Sequence, residues 1–363
     1  MFLLTVAAVL LVSLLLLIGF FLACSPGKAE PFRDEQGRVL AGSVSEKIHI
    51  NINGVEQGMF IKSKNREHPV LLYLHGGMPD YFLTKRYPTD LEECFTVVWW
   101  EQRGSGLSAQ ADIPQGTMTL EQMVSDTLEL TNYLRHRFSK EKIYLMGHSG
   151  GTFIAIHAAA RAPEMFFAYI GVAQMSCQRK SEKLAYDYML RQFKESGKSK
   201  MVRKLEAAPV TMTDGIPEAY IALRDIAMHS LGIGTTHDMK SIITGILLPS
   251  LLCREYTLRE KVNTWLSKSR SGVSILWDTM IRTDLNKAVP ALDLPVYFFE
   301  GIYDYTCSCT EAKTYFEKLK APLKGFYTFE HSAHSPIFEE PGKTRKILRE
   351  DVLRGLNNLA DEI

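Results

Sequence analysis

Few folds accommodate a buried strand that turns at once into a helix through a run of glycines. Residues 142–147 predict such a strand and residues 152–162 predict a helix, and between them stands Gly147-His148-Ser149-Gly150-Gly151. Glycines permit the tight turn and leave room around the serine, and the start of a helix favours negative charge. In this context the G-x-S-x-G pattern indicates a candidate nucleophile turn at Ser149.

Strand and helix patterns alternate from residue 47 onward. This alternation is typical of an α/β fold with a mainly parallel sheet and helices on both faces. Thr119 and Gln122 form a capping-box pattern that begins an apolar helical stripe before the strand at 142–147. The eight predicted strands cover residues 48–52, 59–62, 70–75, 96–100, 142–147, 167–172, 296–301 and 324–329.

The first residues form an apolar segment that is long enough to cross a membrane. Residues 2–23 are apolar apart from Thr5 and Ser13. As a helix they extend roughly 33 Å, against a hydrocarbon core of about 30 Å. The absence of Lys or Arg before this segment favours an uncleaved single-pass anchor over a cleaved signal peptide or a lipoprotein signal at Cys24. The basic residues that follow favour a cytoplasmic catalytic domain, but nearby acids dilute them, so the side of the membrane stays open.

Charge and cysteine spacing exclude several classes of function. The 363 residues contain 42 Lys and Arg against 41 Asp and Glu, and a net charge of +1 provides no field to recruit nucleic acid. The six cysteines form no C-x-x-C pair and the histidines form no H-E-x-x-H motif. We therefore expect no metal, no cofactor and no nucleic-acid partner.

A serine hydroxyl becomes a nucleophile when a base accepts its proton and a carboxylate orients that base. In a fold with this turn the chain order is Ser, then Asp or Glu, then His. Asp304 follows the predicted strand that ends at residue 301, and His334 follows the strand that ends at residue 329. We predict a Ser149-Asp304-His334 triad, with His331, Asp293 and Asp284 as the competing candidates.

An oxyanion hole requires backbone N–H groups beside the nucleophile. Gly150 follows the serine, and the glycines of His75-Gly76-Gly77 follow a predicted strand. These residues predict donors at Gly150 and at Gly77 or Met78.

These motifs resemble the prolyl aminopeptidase (proline iminopeptidase) branch of the α/β-hydrolases, over residues 48–172 and again from residue 295 to the end. Three features depart from that branch: the loop reads His-Gly-Gly-Met-Pro, Glu101 replaces an aspartate, and His148 and Gly150 stand where Gly and Trp are common. The resemblance is carried by His75-Gly76-Gly77, Glu101-Gln102-Arg103-Gly104-Ser105-Gly106-Leu107-Ser108, Gly147-His148-Ser149-Gly150-Gly151-Thr152 and Ser332-Ala333-His334-Ser335-Pro336.

The domain order follows from these patterns. We predict an anchor or signal segment (1–24), a linker (25–46), a hydrolase core in two parts (47–175 and 286–363) and, between them, an inserted helical lid (176–285). The competing interpretation of the last segment is that its helices simply pack on the sheet.

The resemblance implies a serine hydrolase that acts by acyl transfer, with a small peptide as substrate. An aminopeptidase of proline iminopeptidase type is the leading interpretation. A carboxylesterase or lipase is the alternative, favoured by the apolar residues 242–252 and the membrane segment, and a non-catalytic ligand-binding member of the fold is a third. By analogy, lid acids would hold the free amino group of a peptide, and the candidates are Glu182, Asp187, Glu195, Glu218 and Asp225.

Overall fold

Eight strands form a single sheet in the computed structural model, which describes residues 2–363. The spatial order is β1-β2-β4-β3-β5-β6-β7-β8. The pairs β1–β2 and β2–β4 are antiparallel, and the other pairs are parallel. The predicted α/β-hydrolase fold with a mainly parallel eight-stranded sheet is confirmed. The strands are β1 Val44–Ile52, β2 Val55–Ser63, β3 Val70–Leu74, β4 Thr96–Trp100, β5 Ile143–His148, β6 Phe166–Val172, β7 Val296–Gly301 and β8 Lys324–Phe329.

Both faces of the sheet are covered by helices. Every residue of β3, β4 and β5 is buried, as expected for strands that lie between two helical layers. Leu72 and Leu74 pack into one core cluster, whereas Leu71 and Tyr73 pack into the other, because successive side chains point to opposite faces of a strand. The helices outside the segment between β6 and β7 are α1 Phe2–Ala23, α2 Leu120–Arg137, α3 Gly150–Arg161, α12 Cys309–Lys318, α13 Pro336–Glu339 and α14 Pro341–Glu350.

A helical insertion, residues 178–288, separates β6 from β7. It occupies the region predicted as a lid and has a small apolar core of its own, which includes Tyr186, Met189, Tyr220 and Met228. Its helices are α4 Gln178–Glu195, α5 Ser199–Glu206, α6 Glu218–Leu231, α7 Leu248–Leu252, α8 Leu258–Leu266, α9 Gly272–Ile275, α10 Trp277–Arg282 and α11 Leu285–Ala288, with a π-helical turn at Ile243–Leu247 directly before α7.

The first helix projects away from the body of the protein. Its segment Thr5–Ala23 has a mean hydropathy of 3.0, and none of its described residues is buried against the rest of the protein. This length and composition meet the criteria of a membrane anchor and equally those of a signal sequence.

The chain after α1 packs directly on the insertion. The Gly27 amide donates to the Arg254 carbonyl at 3.0 Å, and the Glu30 amide donates to the Glu255 carboxylate at 2.7 Å. β1 then begins at Val44, within the segment predicted as a linker. Much of the 25–46 segment is therefore ordered by contacts that are distant in sequence.

A buried ion pair joins the loop after β4 to α2. Asp126 accepts from Arg103 Nε at 2.6 Å and from Arg103 Nη2 at 2.9 Å, and both side chains are almost completely buried. The same carboxylate accepts from Gln57 at 2.9 Å, Asn53 at 2.9 Å and Gln122 at 2.8 Å. One aspartate thus connects the β1–β2 hairpin, the loop after β4 and α2.

We predict that Asp126→Asn lowers the free energy of unfolding by about 3–5 kcal/mol, because it leaves the Arg103 guanidinium buried without its counter-charge. Denaturant unfolding of the full chain, followed by circular dichroism, measures this loss. The matched control is Glu46→Gln, which breaks the more exposed pair with Arg137 and should cost less than about 1 kcal/mol. Equal losses in the two variants would contradict the assignment.

Candidate active site

Ser149 stands at the turn between β5 and α3 in a backbone conformation that side chains rarely adopt. Its φ is 54° and its ψ is −128°. Such strain persists where the surroundings hold it. The Ser149 amide donates to the Val172 carbonyl at 3.0 Å, and the Thr152 amide donates to the Ser149 carbonyl at 2.9 Å. The turn therefore presents the hydroxyl beyond the carboxyl edge of the sheet.

Two glycines allow the neighbouring backbones to approach this turn. A Cβ atom on Gly76 would lie 2.7 Å from Ser149 Cβ, and a Cβ atom on Gly151 would lie 2.3 Å from the Leu74 carbonyl oxygen. Side chains at these positions would push the loop after β3 away from the serine. Gly150 begins α3, so its amide is among the first N–H groups of a helix, which have no intrahelical acceptor.

Asp304 and His334 lie together after β7 and β8. Asp304 Oδ2 is 2.8 Å from His334 Nδ1, and Asp304 Oδ1 accepts from the amides of Thr306 at 2.7 Å and Cys307 at 3.0 Å. Burial lowers the pKa of His334 from its ordinary value of 6.5, against the opposing charge of Asp304. Asp304 thus orients the His334 imidazole, which lines the same cavity as Ser149.

The structure does not bring the competing candidates into this site. His331 and Asp293 are exposed. Asp284 caps α11, where its carboxylate accepts from the Asn286 amide at 3.0 Å.

His148 lies between hydrogen-bond acceptors on both sides. Its Nδ1 is 3.1 Å from Asp80 Oδ2 and its Nε2 is 2.8 Å from the His334 carbonyl oxygen. A neutral imidazole donates from one nitrogen only, so two acceptors select the charged form. Although burial opposes it, the hydrogen bond and the charge of Asp80 raise the pKa of His148 above 6.5. A histidine with a raised pKa therefore lies behind His334, at 5.1 Å between ring centroids.

Asp80 is a site residue that the sequence analysis missed. It is buried, and its Oδ2 also accepts from the Tyr73 hydroxyl at 2.6 Å. The sequence contains a signal for it, an acid five positions after His75 in the loop that departs from the family pattern.

Glu339 is a second missed residue. Its carboxylate accepts from the Ala333 amide at 2.9 Å and from the His237 amide at 2.6 Å. Burial raises the pKa of Glu339 to about 7. This side chain fixes the loop that carries His334 against the insertion.

The other predicted site residues support the loop after β3. His75 Nε2 accepts from the Gln102 amide at 3.3 Å, so its Nδ1 donates to the Gly76 carbonyl at 2.8 Å, and burial lowers the pKa of His75 to about 4. Glu101 accepts from the Tyr256 hydroxyl at 2.5 Å, which joins the insertion to the core. Gly104 has a φ of 77°, a conformation that favours glycine.

A cavity of about 170 Å³ opens above Ser149. Gly77 and His334 line it from the core, and Arg224 and Asp225 line it from the insertion. The loop residues Gly76 and Met78 also reach this space.

The five insertion acids differ in what they bind. Asp225 lines the cavity, where Arg224 Nη1 is 3.2 Å from its carboxylate. Glu182 is fully buried and accepts from Arg224 Nε at 2.8 Å and Tyr220 at 3.0 Å. Asp187 pairs with Lys183, Glu195 accepts from Gln192, and Glu218 begins α6. Of these five acids, Asp225 is the one that lines the cavity.

Metal-ligating side chains do not cluster in the described part of the chain. No group of three or more His, Cys, Asp or Glu residues is placed there to hold an ion.

Comparisons with known proteins show the family to which the chain belongs. The family described as "Serine aminopeptidase, S33" matches residues 66–341. A probable aminopeptidase of Bacillus subtilis (strain 168), YbaC, is 32% identical over 304 residues, which cover 82% of this chain and 93% of that protein.

Two solved structures share the fold at low sequence identity. The proline iminopeptidase of Mycobacterium smegmatis superposes with a TM-score of 0.62 at 14% identity and covers 85% of this chain and 98% of its own. A membrane phospholipase A described as a bacterial virulence factor gives a TM-score of 0.55 at 19% identity and covers 98% of this chain and 96% of its own. On the family match and the bacillary relative, the chain belongs to the serine aminopeptidase S33 family and is a hydrolase of the α/β-hydrolase fold.

Proposed function

We propose that this hydrolase acts by acyl transfer through Ser149, with His334 as base and Asp304 as the group that orients the base. The observation that carries this proposal is the 2.8 Å contact between Asp304 and His334 beside the strained Ser149 turn. The buried Cys307 thiol lies close to Ser149. Attack requires the Ser149 hydroxyl to point toward His334, an orientation set by rotation about a single side-chain bond.

The reaction proceeds in two halves. His334 Nε2 accepts the Ser149 proton as Oγ bonds to the substrate carbonyl carbon, and the amides of Gly77 and Gly150 stabilise the resulting oxyanion. His334 then gives the proton to the leaving group, and the acyl-enzyme forms. The same imidazole deprotonates a water that attacks the acyl carbon, and the imidazolium returns this proton to Ser149 Oγ as the bond between Oγ and the acyl carbon breaks.

For the substrate we propose an aminopeptidase of proline iminopeptidase type. The protonated amino group of an N-terminal residue is attached to the carbon next to the scissile carbonyl, so its acceptor must lie in the same cavity as Ser149. Asp225 meets that requirement, since it lines the cavity and is partly exposed. The insertion would then act as a lid that supplies substrate contacts.

We predict that Asp225→Asn lowers kcat/KM for prolyl and other aminoacyl arylamides by about 10- to 100-fold, because an ammonium loses a charged hydrogen-bond acceptor. Hydrolysis of uncharged p-nitrophenyl esters should change little. The matched control is Asp187→Asn, an acid of the same insertion that pairs with Lys183 and should leave both activities unchanged. Turnover of esters without any arylamide turnover in the wild type would overturn the peptidase proposal.

The second candidate is a carboxylesterase or lipase. It is favoured by the apolar Ile242 and Ile246, which line the catalytic cavity, and by the similarity in fold to a membrane phospholipase A over nearly the whole chain. The same substrate panel separates the two functions.

We also propose that α1 is an uncleaved anchor that holds the protein at a membrane. The buried Lys261 ammonium donates hydrogen bonds to the Cys24 carbonyl at 2.9 Å and to the Ser25 hydroxyl at 2.8 Å, and both acceptors follow directly after α1. Cleavage beyond Ser25 would remove both acceptors and leave a buried charge poorly paired.

We predict that kcat/KM falls on the acid side of its pH profile (the acid limb) with a midpoint below pH 6.5. The imidazole of His334 acts as base when it is unprotonated, and burial lowers its pKa, so activity persists to lower pH than for an ordinary histidine. His148→Gln removes a nearby cation, which raises the pKa of His334 and moves the limb to higher pH. His136→Gln, on the exposed side of α2, is the control and should not move it. A limb that shifts to lower pH in His148→Gln would contradict the proposed charge on His148.

A further inference from the structure

The first helix and the insertion are joined by a continuous set of hydrogen bonds. Lys261 on α8 donates to the Cys24 carbonyl, to Ser25 Oγ and to the Leu251 carbonyl at the end of α7. Pro26 forms a β-bridge with Thr257. Any membrane that α1 crosses must therefore end close to α7 and α8.

The insertion presents an apolar surface beside this junction. We call this surface the insertion face. Leu248 and Leu252 are one α-helical turn apart, and Ile243 precedes Leu248 by the five residues of a π-helical turn, so the three share one side of the segment. Val262 and Leu266 are likewise one turn apart on α8. The insertion face consists of Ile243 (62% exposed), Leu248 (42%) and Leu252 (47%), and the neighbouring α8 exposes Val262 (45%) and Leu266 (64%).

Basic side chains border the insertion face. A groove at its edge is lined by Leu248 and Leu252 together with Lys85, Arg86 and Arg254, and the Glu30 carboxylate lies 2.8 Å from Lys85 and 3.6 Å from Arg254. Arg86 is fixed there, since its Nη1 donates to the Thr244 carbonyl at 2.7 Å. Apolar side chains bordered by basic ones match the acyl and phosphate layers of a lipid surface.

The opposite side of the same segment faces the catalytic cavity. Ile242 and Ile246 line that cavity with Ser149. Phe82 borders both the catalytic cavity and the basic groove. A single helical segment thus separates the reacting groups from the surface that lies next to α1.

We propose that the insertion face docks into the interface of the lipid bilayer that α1 anchors, so that residues 243–252 lie in the plane of the membrane and the catalytic cavity is adjacent to lipid. This inference rests on the proposed anchor and goes beyond the proposed reaction. An apolar or amphiphilic substrate would then reach Ser149 from the membrane without crossing water.

Depth-dependent quenching tests the proposal on the full chain in phosphatidylcholine vesicles that contain a fraction of phosphatidylglycerol. Leu252→Trp, and Leu248→Trp as a second variant, place a tryptophan on the insertion face. The matched control is Phe167→Trp, because Phe167 is 46% exposed but lies at the start of β6, at the opposite edge of the sheet from Ser149. The wild-type fluorescence is subtracted from that of each variant, and the difference, which comes from the introduced tryptophan, is compared between vesicles with and without brominated acyl chains.

We expect brominated lipid to reduce the fluorescence of the tryptophan introduced at residue 248 or 252 by about twofold or more, since interfacial helices insert to the depth of the upper acyl chains. The fluorescence of the tryptophan at residue 167 should stay unchanged. Flotation with the vesicles reports insertion of α1, and labelling by a fluorophosphonate reports the active site, so failures of the anchor, of the reaction and of docking are distinguishable. Unquenched tryptophans in protein that floats, equal quenching at all three positions, or failure of the folded chain to float would each overturn the proposal.

Discussion

The site depends on a backbone constraint at Ser149. Its φ of 54° is possible because β6 and the first turn of α3 hold the neighbouring peptide groups, and because the glycines at 76 and 151 remove the side chains that would separate the crossing segments. A serine in relaxed helical or extended conformation would direct its hydroxyl along the sheet edge instead of into the cavity. The catalytic proposal, the oxyanion donors and the place of the substrate all follow from this turn.

The electrostatics around the turn are organised by burial. Desolvation lowers the pKa of His334, whereas hydrogen bonding between Asp80 and a carbonyl oxygen raises the pKa of His148, its neighbour in space. Two histidines with centroids 5.1 Å apart therefore have pKa values shifted in opposite directions. The family position that commonly holds glycine carries a histidine here, which contributes to the environment of His334.

Local patterns predicted much of this architecture. The eight strands follow from short apolar and aromatic runs, and Ser149, Asp304 and His334 follow from a motif and a chain order. Thr119 caps α2 as expected by accepting from the Gln122 amide, but the Gln122 side chain bonds Asp126, so the capping box is half formed. The Gln122 side chain instead joins the buried Arg103–Asp126 ion pair, whose two members are too far apart in the sequence for a short sequence pattern to reveal.

Contacts between distant residues that belong to no recognisable motif could not be predicted. Asp80 and His148 are 68 positions apart, and Lys261 and Cys24 are 237 apart. That Asp225, of the five acids, lines the cavity depends on how the insertion packs over the sheet. The start of β1 was missed for the same reason: its first residues were predicted as part of the linker, and only their pairing with β2 shows that they form a strand.

The most direct test of the account is the site of covalent modification by a fluorophosphonate. The full chain in detergent should be labelled, and peptide mass spectrometry should place the adduct on Ser149. Ser149→Ala should abolish the adduct, and His334→Ala should slow its formation by orders of magnitude, because the base that activates the hydroxyl is gone. An adduct on another residue, or the absence of labelling in protein shown to be folded, would contradict the assignment of Ser149 as the nucleophile.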